Sequence, residues 1–350
     1  MSRRVPLSRA SEVVSSLREC HGRIDWAGMP PTLRSDDQAA YDATALGLAE
    51  LGLAGRPAGD ADRAALLRDW RTLVPQDVSM VARWTASPHV YDFDATLASA
   101  LEGTGAEDVP SVALAALPYP IQYVRCGIGG YDGFLAWLDR DPEGVEGDML
   151  SLVFLRRDSL ARARYYVPLD STVGDFVRRT AKRDEEWRRR VERASNGRPV
   201  SVRIGDIPSA QGGSDGATRE GNLAALVSGA LSLLLYVCSQ EADVEVTYRP
   251  PSGGRGQRVG RRTNPETVHG VGARVGRALG APVAAYGAVA QGGHGTVSPH
   301  VRRAHWQHYW VGPRKGRDDG RHGDELIVKW IPPIAVLGGG GTEVVHAADE

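Results

Sequence analysis

The sequence predicts an α+β protein with a helical N-terminal region, a mainly antiparallel mixed sheet, a buried apolar helix and a C-terminal β-hairpin. Three observations lead to this prediction. Apolar residues recur at spacings of three and four in residues 1–80, and short aromatic and β-branched runs separated by turn residues follow from Trp84. The most apolar segment, Asn222–Gln240, then reads as a buried helix, because it is apolar on every side.

Length and composition agree with this fold class. The chain has 350 residues, of which 42% are hydrophobic and 24% charged, the balance of a soluble globular protein. This length fits one large or two ordinary domains and suffices to bury a sizeable core.

Residues 1–80 are predicted to form the helical region. Its candidate helices are Ala10–Glu19, Asp37–Leu51 and Asp60–Leu73, with Gly52 ending the second. No group with catalytic chemistry stands out there, so this region is interpreted as scaffold or partner surface.

Residues 81–248 are predicted to form an α+β body around the core helix at 222–240. Short turn segments connect its strands, which favours antiparallel neighbours. Asp94 is expected to cap a short helix.

A charged helix is predicted at Val173–Ala194. Its acidic side chains lie within reach of its basic ones, so internal pairing is favoured over nucleic-acid binding. The predicted strands are Val90–Phe93, Pro118–Cys126, Gly133–Leu138, Met149–Leu155, Arg164–Leu169 and Val244–Tyr248.

The remaining chain divides into three parts. A mobile basic loop is predicted at 249–265, a basic aromatic hairpin region that joins the same sheet at 266–337, and a disordered tail at 338–350. Gly270–Leu279 reads as a short helix. Its glycines superficially resemble a dinucleotide-binding loop, but the sequence shows no preceding strand and no acidic ribose partner, so that function is rejected.

The hairpin is predicted from two aromatic, alternating runs, Pro299–Pro313 and Asp324–Ile334, with a polar loop at 314–323 between them. Side chains on a strand alternate between its two faces. This places Trp306, His308 and Trp310 on one face and His305, Gln307 and Tyr309 on the other.

Charge and aromatic residues concentrate around this hairpin. The net charge is −1, yet residues 249–330 contain 14 Lys and Arg against 5 Asp and Glu, a surplus of 9. Such a surplus indicates a local anionic partner or a solvated surface with nearby counter-charges. The residues expected to bind RNA or phosphate are Arg261, Arg262, Arg302, Arg303, Trp306, Tyr309, Trp310, Arg314, Lys315 and Lys329.

Three interpretations of the hairpin stay open. Its tryptophans can pack in a core, its rings and cations can bind RNA, or His305 and His308 can serve as base and acid in RNA cleavage. Whether the chain is itself a ribonuclease is therefore left undecided. A zinc site is disfavoured, because the two histidines point to opposite faces and no cysteine pair accompanies them.

Other function classes are excluded or unsupported. The sequence has no phosphate-binding P-loop, no nucleophile-elbow motif, no signal peptide and no apolar run long enough to span a bilayer. Cys20, Cys126 and Cys238 form no CxxC pair, which favours a reduced, cytoplasmic setting. No cofactor, metal or membrane partner is expected.

Several segments together resemble a known family. They are Val90–Leu97, Leu117–Val124 with Gly133–Leu138, Leu231–Ser239, and His300–Gly312 with Trp330–Ile334. They are similar to a plasmid- and phage-borne family that includes an anti-CRISPR acting against type V-A systems.

The resemblance implies a factor of mobile genetic elements that evades host defence by blocking production of the CRISPR nuclease. Such a factor would recognise the nascent peptide of its target and promote loss of the mRNA, with RNA or the ribosome as a further partner. The alternative is a non-enzymatic peptide- or RNA-binding module that regulates translation.

Overall fold

The structure, a computed structural model, describes residues 8–50, 74–127, 131–140, 148–156, 162–182, 220–248, 265–279, 300–312 and 325–336. The predicted helix at Asp60–Leu73, most of the predicted basic loop and the predicted tail lie outside these residues.

A seven-stranded sheet forms the centre of the protein, with its strands in the order β5-β4-β3-β2-β1-β7-β6. β1 is parallel to β2 and β7, whereas every other neighbouring pair in the sheet is antiparallel. The predicted α+β class with a mixed, mainly antiparallel sheet is therefore confirmed. The strands are β1 (His89–Phe93), β2 (Gln122–Arg125), β3 (Tyr131–Arg140), β4 (Asp148–Arg156), β5 (Arg162–Pro168), β6 (Val244–Tyr248) and β7 (Thr267–Val271).

The N-terminal helices cover one face of this sheet. They are Arg9–Cys20, Gln38–Glu50 and Pro75–Ala86. The first begins at Ser8, whose side chain accepts a hydrogen bond from the Ser11 amide. Trp84 is fully buried and packs edge to face on Tyr123 of β2, with ring centroids 6.4 Å apart.

The core helix, Glu220–Cys238, belongs to the hydrophobic cluster on the opposite face. It overlaps the predicted Asn222–Gln240 helix. Because Leu231, Leu233, Leu234 and Leu235 are all fully buried, this helix is enclosed on more than one side.

Shorter helices complete this second layer. Ala95–Glu102 begins behind Asp94, whose carboxylate accepts hydrogen bonds from the amides of Thr96 and Leu97, as predicted from the sequence. A 3₁₀ helix spans Ser111–Ala116, and the predicted charged helix is described over 173–182.

The structure corrects the sequence interpretation around Gly270. Residues Thr267–Val271 form β7 inside the sheet, and the helix that follows is described over 273–279. Gly272 joins the two with a φ of 80°, and a Cβ there would lie 2.1 Å from the Leu97 side chain. Glycine is therefore required at this turn.

The C-terminal strands do not join the central sheet, which corrects the prediction that they would. β9 (His305–Val311) and β10 (Glu325–Ile331) pair as a separate two-stranded sheet, and β8 (His300–Arg302) pairs with β11 (Ile334–Val336). The apolar side chains of β10 pack on the core helix instead, so they are buried without backbone pairing to the sheet.

No helix in the described ranges has the length and apolar character needed to cross a membrane. All three cysteines, Cys20, Cys126 and Cys238, are free thiols.

Candidate functional site

The hairpin is anchored by a pair of tryptophans. Trp306 of β9 lies directly opposite Trp330 of β10, and their exposed fractions are 9% and 8%. The Trp330 Nε1–H donates to Thr104 Oγ1 at 3.2 Å. Its ring also meets the Tyr236 ring of the core helix edge to face, with centroids 5.9 Å apart. These contacts hold the strand pair against the core.

This anchoring corrects the role predicted for Trp306. A buried indole has no open face on which a base can stack, so Trp306 is a packing residue and not an RNA contact. Trp310, predicted to share its face, lies opposite Leu326 and is half-buried. His308 lies opposite Val328 on the same face and is exposed.

The outward face of the hairpin carries the exposed polar and aromatic side chains of β9. His305, Gln307 and Tyr309 alternate along it, and Tyr309 is 42% exposed. Arg302 and Arg303, which precede β9, are also exposed. Within the described part of the chain, neither arginine forms an ion pair. The outward face therefore exposes the Tyr309 ring, and two exposed cations precede the strand in the chain.

Lys329 also belongs to the outward face, opposite Gln307, but its charge is already matched. Its ammonium forms a salt bridge with Glu241, and the hydrogen bond that it donates to the Glu241 carboxylate raises the pKa of Lys329. A phosphate would have to compete with this carboxylate, so Lys329 is a weaker phosphate ligand than the sequence indicated.

The structure does not bring the two predicted catalytic histidines together. His305 lies on the outward face and His308 on the inward one. The His305 ring nitrogen Nδ1 lies 3.3 Å from the Arg303 carbonyl oxygen. General acid–base cleavage needs both groups at one phosphodiester, and this arrangement does not supply that. Arg261, Arg262, Arg314 and Lys315 lie outside the described residues.

Sequence reasoning missed a second polar and aromatic cluster, at the start of the parallel strands. His89 Nδ1 and His269 Nε2 are 2.9 Å apart, which is hydrogen-bonding distance. The Tyr119 ring stacks on His89 with centroids 3.5 Å apart and an angle of 9° between planes. Tyr91 stacks on His269 at 4.9 Å. These four rings form one continuous stack.

Gln122 extends this cluster. The pairing of Val90 with Tyr123 on parallel strands places Gln122 beside His89 on the same face. Gln122 is fully buried, and neither of its amide atoms has a hydrogen-bond partner among the residues that the structure describes. Two family-like segments, Val90–Leu97 and Leu117–Val124, contribute Tyr91, Tyr119 and Gln122. These two segments were the only signal of the ring cluster in the sequence. The contact between His89 and His269 could not be predicted, because β1 and β7 are far apart in the chain.

The described residues contain no cluster of three or more His, Cys, Asp or Glu side chains that could bind a metal ion.

Comparison with known proteins gives the family. No curated protein matches the chain. A solved structure described as "Crystal structure of AcrVA2" is similar at 16% identity and a TM-score of 0.47, covering 95% of this chain and 100% of that one. The family model described as "AcrVA2-like: Anti-CRISPR type V subtype A2 family" matches residues 91–338, which is well over half of the chain. This match confirms the resemblance seen in the sequence, and the chain belongs to the AcrVA2-like family of type V-A anti-CRISPR proteins.

Proposed function

We propose that this protein is an anti-CRISPR factor that reduces production of a type V-A CRISPR nuclease. It recognises the nascent peptide of the nuclease and promotes loss of the mRNA being translated. Family membership supports the anti-CRISPR part. The message-level part is supported by one observation, the exposed Tyr309 ring on the outward face of the hairpin, on a strand that the exposed Arg302 and Arg303 precede in the chain.

This face suits single-stranded RNA. A base stacked on an aromatic side chain contributes about 1–3 kcal/mol to binding. The arginines would neutralise phosphates and release their counterions, which adds affinity that depends on salt but not on sequence. Because Trp306 and Trp330 are anchored in the core, Tyr309 is presented on a rigid strand and loses little freedom when a base binds.

Binding is better supported than cleavage. His305 and His308 occupy opposite faces, so the hairpin cannot place both of them at one phosphate. The protein would then bring the message to a nuclease supplied by the host or the ribosome. The second candidate function, a peptide- or RNA-binding module that only blocks translation, uses the same surface but leaves the transcript intact.

The test is a purified translation reaction that contains no added ribonuclease. It is programmed with the mRNA of the type V-A CRISPR nuclease. Adding the protein alone tests whether the chain cleaves RNA, and adding a host cell extract tests recruitment. We expect transcript loss only with the extract. Loss in the purified reaction would show that the chain is itself a ribonuclease, and an intact transcript in both with reduced protein synthesis would favour the translation-block function.

A further inference from the structure

β6 forms one edge of the central sheet, and no strand in the described ranges pairs with its outer side. All five of its residues, Val244–Tyr248, are exposed. The exposed fractions of Val244, Val246 and Tyr248 are 37%, 47% and 37%. An edge strand presents a row of backbone N–H and C=O groups that can pair with another chain, and exposed apolar side chains strengthen that tendency.

The opposite edge of the sheet is protected, which makes the exposure of β6 informative. β5 carries Arg162 and Arg164 and ends at Pro168. Charged side chains and proline are the usual means of preventing edge-to-edge pairing. Arg164 is additionally held by an ion pair with the buried Asp77 at 2.6 Å. β6 has Glu245 as its one charged residue.

The β6 edge is also held in place before any partner binds. At its start, Asp243 accepts hydrogen bonds from the Arg274 amide at 2.7 Å and from Arg274 Nε at 2.8 Å. The Asp243 carbonyl oxygen accepts a further bond from the Gly272 amide at 2.7 Å. Thr247 Oγ1 donates to the Val268 carbonyl oxygen at 3.2 Å. A fixed edge reduces the entropy lost when a partner strand docks.

We infer that an extended peptide docks on the free edge of β6 as an added strand, and that this edge is where the nascent chain is read. This inference rests on the proposed function. A chain that has just left the ribosome still has its backbone groups available for pairing, whereas the same segment in a folded protein does not. Strand addition therefore distinguishes a nascent target from a finished one.

The geometry of β6 specifies the chemistry of the partner. Val244 and Val246 lie on one face, opposite Val271 and His269 of β7, so apolar side chains at alternate positions of the peptide would pack beside them. Glu245 points to the other face and favours a cation on the partner strand. A register shift between Val246 and Tyr248 bends the strand, which limits regular pairing to its first residues.

The experiment measures binding of a fluorescently labelled synthetic peptide that copies the N-terminus of the type V-A nuclease. Val246→Lys places a charge on the docking edge, and Tyr41→Lys places the same charge at a comparably exposed apolar residue of the helix Gln38–Glu50 as the matched control. We expect Val246→Lys to weaken binding by about tenfold or more, which corresponds to roughly 1.4 kcal/mol. The control variant should bind as the unmodified protein does.

A second measurement leaves the protein unchanged and alters the peptide backbone. In a β-strand, successive amides point to opposite sides, so only every other N–H can face β6. Two peptides are compared. One is N-methylated at its odd-numbered amides, and the other is N-methylated at its even-numbered amides. One should lose binding and the other should retain it.

The outcomes separate the inference from the proposed function. Suppose that the peptide binds the unmodified protein, that the Val246→Lys protein binds it equally tightly, and that both methylated peptides bind as tightly as the unmethylated one. The β6 edge is then not the site, although nascent-peptide recognition stands. If the unmodified protein does not bind the peptide at all, peptide recognition and the β6 site both fall.

Discussion

Tyr236 of the core helix meets Trp330 of the hairpin edge to face, with an angle of 80° between the ring planes. The same tyrosine contacts Phe93 of β1, with centroids 6.4 Å apart. One side chain thus touches both the central sheet and the hairpin. The outward hairpin face is therefore built on the rigid core, and its exposed residues can be changed without disturbing the fold.

The first prediction concerns this anchor. Trp330→Ala removes a buried ring and the hydrogen bond to Thr104, so the free energy of unfolding should fall by about 3–5 kcal/mol. Tyr309→Ala, on the exposed face, is the matched control and should change it by about 0.5 kcal/mol or less. Urea unfolding measures both. Equal effects of the two substitutions would contradict the assignment of the inward and outward faces.

The second prediction concerns RNA binding by the outward face. Tyr309→Ala should weaken binding of single-stranded RNA by about 1–3 kcal/mol, because a stacking surface is lost. Changing Arg302 and Arg303 together to Ala should reduce the logarithmic salt slope by about one to two units without altering sequence preference. Binding titrations at several salt concentrations measure both effects. A slope that stays the same in the double variant would argue against phosphate contacts at these positions.

The third prediction concerns the histidines. His305→Ala and His308→Ala should each leave transcript loss in a host extract unchanged within about twofold, because neither is placed for acid–base chemistry with the other. Quantitative PCR of the transcript is the readout, with thermal melting to confirm folding. If either folded variant binds RNA normally but cannot eliminate the transcript, that histidine is required for message loss at a step after RNA binding, and the prediction is wrong.

The fourth prediction concerns pH. Burial acts to raise the pKa of Asp243, but hydrogen bonds from Arg274 and the Val275 amide outweigh it, so the pKa lies below its usual value. The stability from this carboxylate is therefore present above the usual Asp pKa of about 3.9 and is lost as pH falls through the lower folded-state value.

Asp243→Asn tests this directly. It should cost about 1.5–3 kcal/mol of unfolding free energy near neutral pH, since charge-assisted hydrogen bonds are lost. The difference from the unmodified protein should shrink as the pH falls below about 3.9. Urea unfolding over a pH series provides the measurement. A difference that stays constant across the series would show that Asp243 does not act through its charge.

Much of the fold could be predicted because its signals are local. The alternation in Val90–Phe93 and the cap at Asp94 each depend on neighbouring residues, and both agree with the structure. β7 could not be predicted in the same way. Its Thr267–Val271 segment is short and contains a histidine and a glycine, and its partner β1 lies far away in the sequence. Parallel pairing of this kind leaves no local pattern.

The hairpin shows a different limit. Alternation correctly divides β9 into two faces, but it does not indicate which face is buried. Packing of Trp330 on Tyr236 decides this, and it leaves Trp306 buried and Tyr309 exposed. The His89–His269 contact was likewise invisible, because it joins residues 180 positions apart.

The most direct test of the central claim compares three nuclease transcripts in a host translation extract containing this protein. The first is unmodified. The second has synonymous codons over its N-terminal segment, so its RNA differs but its peptide is the same. The third has a frameshift in that segment, with the reading frame restored downstream, so its RNA is nearly the same but its N-terminal peptide differs. If the nascent peptide is what is recognised, the first two transcripts should be lost and the third should persist. Loss of the frameshifted transcript, or survival of the synonymous one, would contradict this account.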